Sequence, residues 1–232
     1  MLNLKNVTLL CIDVINPGRS IEALLASMNL VDFAEVVLAT DLRRHQTLKA
    51  DCYGIRLHGL KESDTKIEGP TRHYFVDYEK HVLTVPFEVM RTDYVLYQEW
   101  DGCVVNPNAW DGSWLRTDYI GALWTQFYEP GWPPTDKGMR VGNSGFSLRS
   151  RRFCQLIRQA AIEWHDDPGM MSCDQWMCRT MRPWLESNGM AFATEDQALK
   201  FSCEDAIYTG QFGFHGKKTA KINGWWLPWF DK

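Results

Sequence analysis

The chain has 232 residues, 45% of them hydrophobic, and a formal net charge of −4. That size supports one large domain, and the slight acidity argues against a dedicated nucleic-acid binder or a polybasic membrane anchor. Seven cysteines are scattered without a CxxC pair, several of them inside apolar runs. This is the pattern of buried free thiols in a reducing cytoplasm rather than of disulfides or a zinc site. No signal peptide leads the chain, and its first apolar run is about six residues against the ~20 that span a bilayer, so a cytoplasmic protein without a membrane partner is expected.

In chain order, residues 7–12 form an apolar β-prone run followed by Asp13, the mark of a buried parallel strand, and Asn16, Pro17 and Gly18 break it. Ser20 then reads as the cap of a helix with Ile21, Leu24, Leu25 and Met28 on one face. Residues 35–41 return as a second strand that ends in Thr40 and Asp41. Strand, helix and strand open a βαβ unit, so Asp13, Asn16, Thr40 and Asp41 line one sheet edge. Neither GxGxxG nor GxxxxGK[ST] occurs, which disfavours a dinucleotide fold and a P-loop. A basic turn at Arg43 and Arg44, a short strand around residues 55–57 and a polar loop over 61–69 come next. Tyr74, Phe75, Tyr78, Val82 and Val85 then predict an amphipathic helix that packs on the sheet before Pro86.

The chain is organised around residues 93–102, where Tyr94, Val95, Leu96 and Tyr97 form a strand buried on both faces that leads into Glu99, Trp100, Asp101 and Gly102. Residues two apart share a side of an extended chain, so the two carboxylates meet at the strand's carboxyl end, where open α/β sheets bind ligands. Their repulsion is relieved by a hard divalent cation, Mg²⁺ or Mn²⁺, with positions left for diphosphate oxygens. Spacing alone fits a surface turn better; the place after a buried strand is what favours the metal.

Residues 103–105 read as a brief strand, while 106–110 and 118–121 read as turns. The segment 124–138, rich in proline, glycine and aromatic residues, reads as a lid or binding loop, or equally as a loop pinned down by its own aromatics. Residues 141–150 alternate Phe146 and Leu148 with small polar residues, a strand whose glycines leave backbone open to a ligand, and Ser150 caps the next helix. A further helix starts at Cys173 with Asp174 in its first turn, either a helix-dipole acid or a catalytic carboxylate. Residues 191–193 suggest one more strand. The tail holds His215 between Gly213, Phe214 and Gly216, followed by Lys217 and Lys218. A lone histidine is more often structural than a ligand.

Taken as an ordered set, the strand with Asp13, the strand with Asp41, residues 98–102, residues 141–152, the Cys173 helix start and residues 212–216 resemble a family of bacterial and viral glycosyltransferases with the GT-A type of nucleotide-sugar-binding fold. The resemblance covers nearly the whole chain. It implies an α/β domain with a central, mostly parallel sheet flanked by helices, comprising a nucleotide-binding half over residues 1–102 and an acceptor half over 103–232 closed by its tail. It further implies that Glu99, Asp101 and the late His215 hold Mn²⁺ or Mg²⁺ on the diphosphate of a sugar nucleotide, UDP-linked by expectation. The first acid here is Glu where the family motif has Asp. Asp13, Asn16, Thr40, Asp41 and Trp100 would receive the nucleotide, and Asn143, Ser144 and the backbone of Gly145 the donor sugar or the acceptor.

By the same resemblance Asp174 acts as base in an inverting transfer; a retaining reaction would leave it a sugar-binding residue. The acceptor hydroxyl would sit on a glycan or on a hydroxylated base in DNA, with Arg140, Arg149, Arg151, Arg152, Arg158, Lys217, Lys218 and Lys221 as either an anion-facing patch or a solvated face. Two other classes remain open from the sequence: a non-catalytic nucleotide-sugar-binding protein of the same fold, and a nucleotidyltransferase, for whose triphosphate clamp the region after Asp13 offers only Arg19.

Overall fold

The computed structural model describes residues 1–49, 51–60, 72–124, 139–161 and 172–231. The expected loops over 61–69 and 125–138 lie outside the described residues. The chain opens with β1 (Leu2–Ile12), α1 (Pro17–Met28), β2 (Val31–Thr40) and β3 (Ile55–Gly59), then α2 (Arg72–Val89) and β4 (Tyr94–Gln98). It continues through β5 (Gly102–Val104), β6 (Tyr119–Leu123), β7 (Val141–Ser150), α3 (Arg151–Ala160) and α4 (Cys173–Gln175), which runs into a π-helical turn over Trp176–Thr180. The elements α5 (Arg182–Ser187), α6 (Glu195–Phe201), β8 (Ser202–Cys203), β9 (Gly213–His215) and α7 (Lys217–Ile222) complete it.

Among the described residues, six strands form the main sheet in the order β3-β2-β1-β4-β7-β6. The first four run parallel, and β7 lies antiparallel between β4 and β6. The order reverses between β1 and β4, so the crevice outside their carboxyl ends is a topological switch point. Strand alternation sends Leu9 and Cys11 to one face, against Ile21 and Leu24 of α1, and Leu10 and Ile12 to the other, against Val82, Val85 and Phe153 of α2 and α3. This is the expected α/β architecture. A second sheet, β5-β9-β8, sits at the end of β4 over Phe214, Ala220 and Trp229.

Several local expectations change. α1 begins at Pro17 with Asn16 in the cap position, while Ser20 lies inside the helix and donates to Asp13 Oδ2 at 2.8 Å. Residues 119–123 form a buried strand rather than a turn, because pairing with β7 overrides the local punctuation. Residues 191–193 make only a single bridge, Tyr119 to Phe192. α2 runs through Pro86 to Val89. A proline inside a helix leaves the carbonyl four residues earlier without its donor. Here that carbonyl, Val82 O, accepts from the buried Arg149 Nη1 at 2.8 Å. A tertiary hydrogen bond thus replaces the missing helical one, and the helix does not end.

Candidate metal centre

β4 stops at Gln98, and the next amide, Glu99 N, donates to Gly145 O of β7 at 2.8 Å. The turn closes when Gly102 N donates to Glu99 O, and Gly102 starts β5. β5 pairs with β9 in a register that sets Gly102 opposite His215. A Cβ on Gly102 would lie 2.6 Å from Phe214 O, so only glycine permits this approach. Backbone bonds carry the pairing onward: Gly216 N donates to Asp101 O at 3.0 Å and Lys217 N to Asp101 Oδ2 at 3.2 Å. The tail therefore folds back over the acidic turn as a sheet strand, anchored by fully buried Phe212 and Phe214.

That pairing puts His215 Nε2 3.3 Å from Glu99 Oε2 and 3.4 Å from Asp101 Oδ1. One ligand atom from each of the three lies within 4.8 Å of the others. Among the described residues, buried Asp101 Oδ1 receives no hydrogen bond of good geometry, the kind of oxygen that a cation satisfies. Two carboxylates and one imidazole fit a divalent ion that accepts both oxygen and nitrogen, Mn²⁺ ahead of Mg²⁺ or Ca²⁺. Burial by itself would lower the His215 pKa, but the Glu204 and Asp101 carboxylates outweigh it and raise it well above the ordinary value. Asp101 shows the reverse balance: burial raises its pKa, and the His215 charge with the Lys217 amide brings it below the usual range.

Gly145 serves this centre differently from the expectation. Its carbonyl accepts from Glu99 N and its amide donates to Asn143 Oδ1 at 3.0 Å, so its backbone is engaged within the protein. What its missing side chain leaves open is space for the imidazole, since a Cβ there would meet His215 Nε2 at 2.2 Å. Ser144 is buried, and Asn143 is half-buried at the same end of β7.

Asp174 stands in the first turn of α4, where its Oδ1 accepts from Ser172 Oγ and from Gln175 N. Burial raises its pKa, and the charges of Glu99 and His215 both reach it. Across from it, Glu79 of α2 has its pKa raised to about 7 by burial and by Asp174, while the Cys173 amide opposes the rise. Asp13, Thr40 and Asp41 lie buried at the carboxyl ends of β1 and β2, on the same edge as the acidic turn. Asp13 accepts from Ile15 N and Asn16 N on Oδ1 and from Arg19 and Ser20 on Oδ2, so it holds the loop that starts α1. Asp41 is gripped by Arg43 and Arg44. The Trp100 ring carries the Arg19 guanidinium 3.7 Å from its centroid and the Lys217 ammonium at 4.7 Å.

Sequence reasoning passed over Glu204, Glu79 and the stacking of Arg19. Glu204 and Glu79 enter the site through tertiary packing, with no motif around them. Several of the basic residues are engaged within the fold. Arg149 and Arg151 donate to backbone carbonyls, while Arg140, Arg158 and Lys218 pair with Glu195, Glu88 and Asp205.

Solved structures share this fold. Mouse xyloside xylosyltransferase 1 aligns with a TM-score of 0.53 at 10% identity, over 93% of this chain and 98% of that one. A glycosyltransferase involved in glycosylation of the major capsid of PBCV-1 gives 0.51 at 11%, over 90% and 92%. An active-site mutant of LgtC gives 0.50 at 10%, over 90% and 87%. At such identities the likeness is one of fold, the GT-A type. No curated protein matches the sequence. Residues 77–215, more than half of the chain and including both acids and His215, match the family described as "Protein of unknown function (DUF5672)", and the chain belongs to that family.

Proposed function

We propose that this protein is a divalent-metal-dependent glycosyltransferase that moves a sugar from a nucleoside diphosphate, UDP by preference, to an acceptor hydroxyl. The observation that carries the reading is the arrival of His215 on Glu99 and Asp101 at the switch point between β1 and β4. Glu99, Asp101 and His215 would hold Mn²⁺ or Mg²⁺, and the ion when bound neutralises charge on the departing diphosphate. Asn16 and the loop held by Asp13, with Thr40, Asp41 and Trp100, border the nucleoside. Asn143 and Ser144 border the sugar; Gly145 contributes by giving His215 room.

Asp174 is the general base. Its partly buried carboxylate takes the acceptor hydroxyl's proton as that oxygen attacks the anomeric carbon, in an inverting transfer. The acceptor is a glycan hydroxyl or a hydroxylated base in DNA. Arginines already paired within the fold favour the glycan. Residues 1–102 form the nucleotide half and 103–232 the acceptor half of one domain. Six described cysteines are free and buried, which supports a reducing, cytoplasmic setting. Among the described residues no helix is long and apolar enough to cross a membrane.

Calorimetry of UDP with and without Mn²⁺ tests the reading. Binding should need the ion and vanish in Asp101→Asn; metal-independent binding of equal strength would remove it. Screening nucleotide sugars for hydrolysis and thermal stabilisation identifies the donor.

A further inference from the structure

Behind the three candidate ligands stands a fourth ionisable group, Glu204. β8 and β9 run parallel with Ser202 beside Gly213 and Cys203 beside Phe214, so the next rung sets Glu204 beside His215. Glu204 Oε1 lies 3.3 Å from His215 Nδ1, on the opposite side of the ring from Glu99 and Asp101. The turn that follows holds it there. Asp205 takes a left-handed backbone, φ 49°, its amide donates to Thr219 Oγ1 at 2.8 Å, and its carboxylate pairs with Lys218 at 2.6 Å. Both of those partners belong to α7, immediately after His215, so one local frame fixes the carboxylate and the imidazole together.

Glu204 Oε2 and His215 Nδ1 are buried and lack hydrogen bonds of good geometry, although Nδ1 and Oε1 are in ion-pair range. Among the described residues no hydrogen bond to the Glu204 carboxylate is found, and its one ion-pair partner is His215 Nδ1, whose proton it is placed to accept. An imidazole that gives its Nδ1 proton to a carboxylate presents the lone pair of Nε2 on the far side. In this chain the far side is where Glu99 and Asp101 converge.

We propose that Glu204 is a positioning residue that fixes the His215 ring and its tautomer, so that Nε2 faces the metal position as a ligand. The inference rests on the reading of Glu99, Asp101 and His215 as the metal centre. Glu204 itself stays off the ion, with the ring between them.

Glu204→Gln isolates this role. Its amide can donate to Nδ1 as easily as accept, which moves the ring proton to Nε2 and blocks the ligand. The experiment measures Mn²⁺ binding to the full chain by the loss of the free-ion EPR signal, with pulsed EPR reading the imidazole nitrogen coupled to bound Mn²⁺ and Tm measured without metal. For Glu204→Gln we expect Mn²⁺ affinity about 10- to 100-fold below wild type. The nitrogen coupling should weaken, metal-free Tm should stay near wild type, and Glu204→Asp should recover part of the affinity. Wild-type affinity and nitrogen coupling in Glu204→Gln overturn the positioning role while leaving the metal centre standing. Loss of affinity only in step with a fallen Tm also overturns it, in favour of a purely structural carboxylate. A wild type that binds no Mn²⁺ removes the centre, and this inference with it.

Discussion

Gly145→Ala probes the centre through space alone, because it adds one methyl group and no charge. The new Cβ would stand 2.2, 2.3 and 2.4 Å from His215 Nε2, Cε1 and Cδ2, against 3.4 Å for ordinary contact. The ring has to retreat by about 1 Å, the size of misplacement that costs ~10²-fold when it falls on a reacting group. Nε2 now sits at 3.3 and 3.4 Å from the two acids, so such a retreat separates the nitrogen from both oxygens. Overpacking a buried site of this kind costs about 1–3 kcal/mol. The assay is a double-mutant cycle with His215→Ala, reading Tm and Mn²⁺ affinity. Gly145→Ala should lower both in the wild-type background and change neither much when the ring is gone. An equal loss of stability in the two backgrounds would refute the contact as its cause.

Asp174→Asn should lower kcat by roughly 10²–10⁴-fold with little change in sugar-nucleotide affinity, and should remove the acid limb of the rate profile. In wild type that limb lies above the ordinary carboxylate range, because burial raises the Asp174 pKa. Near-normal kcat in the variant returns Asp174 to a helix-start role. Glu79, raised from 4.5 to about 7 by burial and Asp174, binds its proton more tightly folded than unfolded. Its stabilisation is full below pH 4.5 and is lost as pH rises through 7, so Glu79→Gln should match wild-type Tm in acid and exceed it above pH 7. A pH-independent difference in thermal melts contradicts this. Arg149→Met should cost about 1–3 kcal/mol by stranding Val82 O, and less beside Pro86→Ala, which restores an amide donor to that carbonyl. Equal penalties in denaturant titrations, with and without Pro86, would refute the substitution of one hydrogen bond for the other.

The parallel strands and the acidic turn were legible because a buried strand leaves a local record, an apolar run closed by a polar residue, as in residues 7–13 and 94–101. Ser150 was legible for the same reason: a cap bonds within its own turn, here to Phe153 N. β6 was not, since Gly121 and Asp118 read as turn residues and only the partner strand β7 overrides them. The helix through Pro86 escaped because its repair comes from Arg149 on another element. At the site, Glu99, Asp101 and His215 could be named from the resemblance, but Glu204 depends on the register of a two-residue strand. The backbone of Gly145 was given to a ligand, whereas the structure uses it to bind Glu99 and to make room for an imidazole.

His215 and Glu99, the first of the acids it meets, are separated by 116 residues of chain. Contacts so distant in sequence form late, because closing a long loop has to precede any gain from the contact. During synthesis Glu99 and Asp101 emerge well before His215, in the turn after a strand whose partner β1 is already present. For that interval the turn offers oxygen donors without the imidazole, and under the proposed function it would have the preferences of Ca²⁺ and Mg²⁺ sites rather than of a mixed nitrogen and oxygen site. Under the proposed function, ion selectivity would then be acquired when β9 pairs with β5. On the proposed metal reading, a chain that failed this step would keep its acids and lose its discrimination, so the identity of the ion it takes up would report whether β9 has paired.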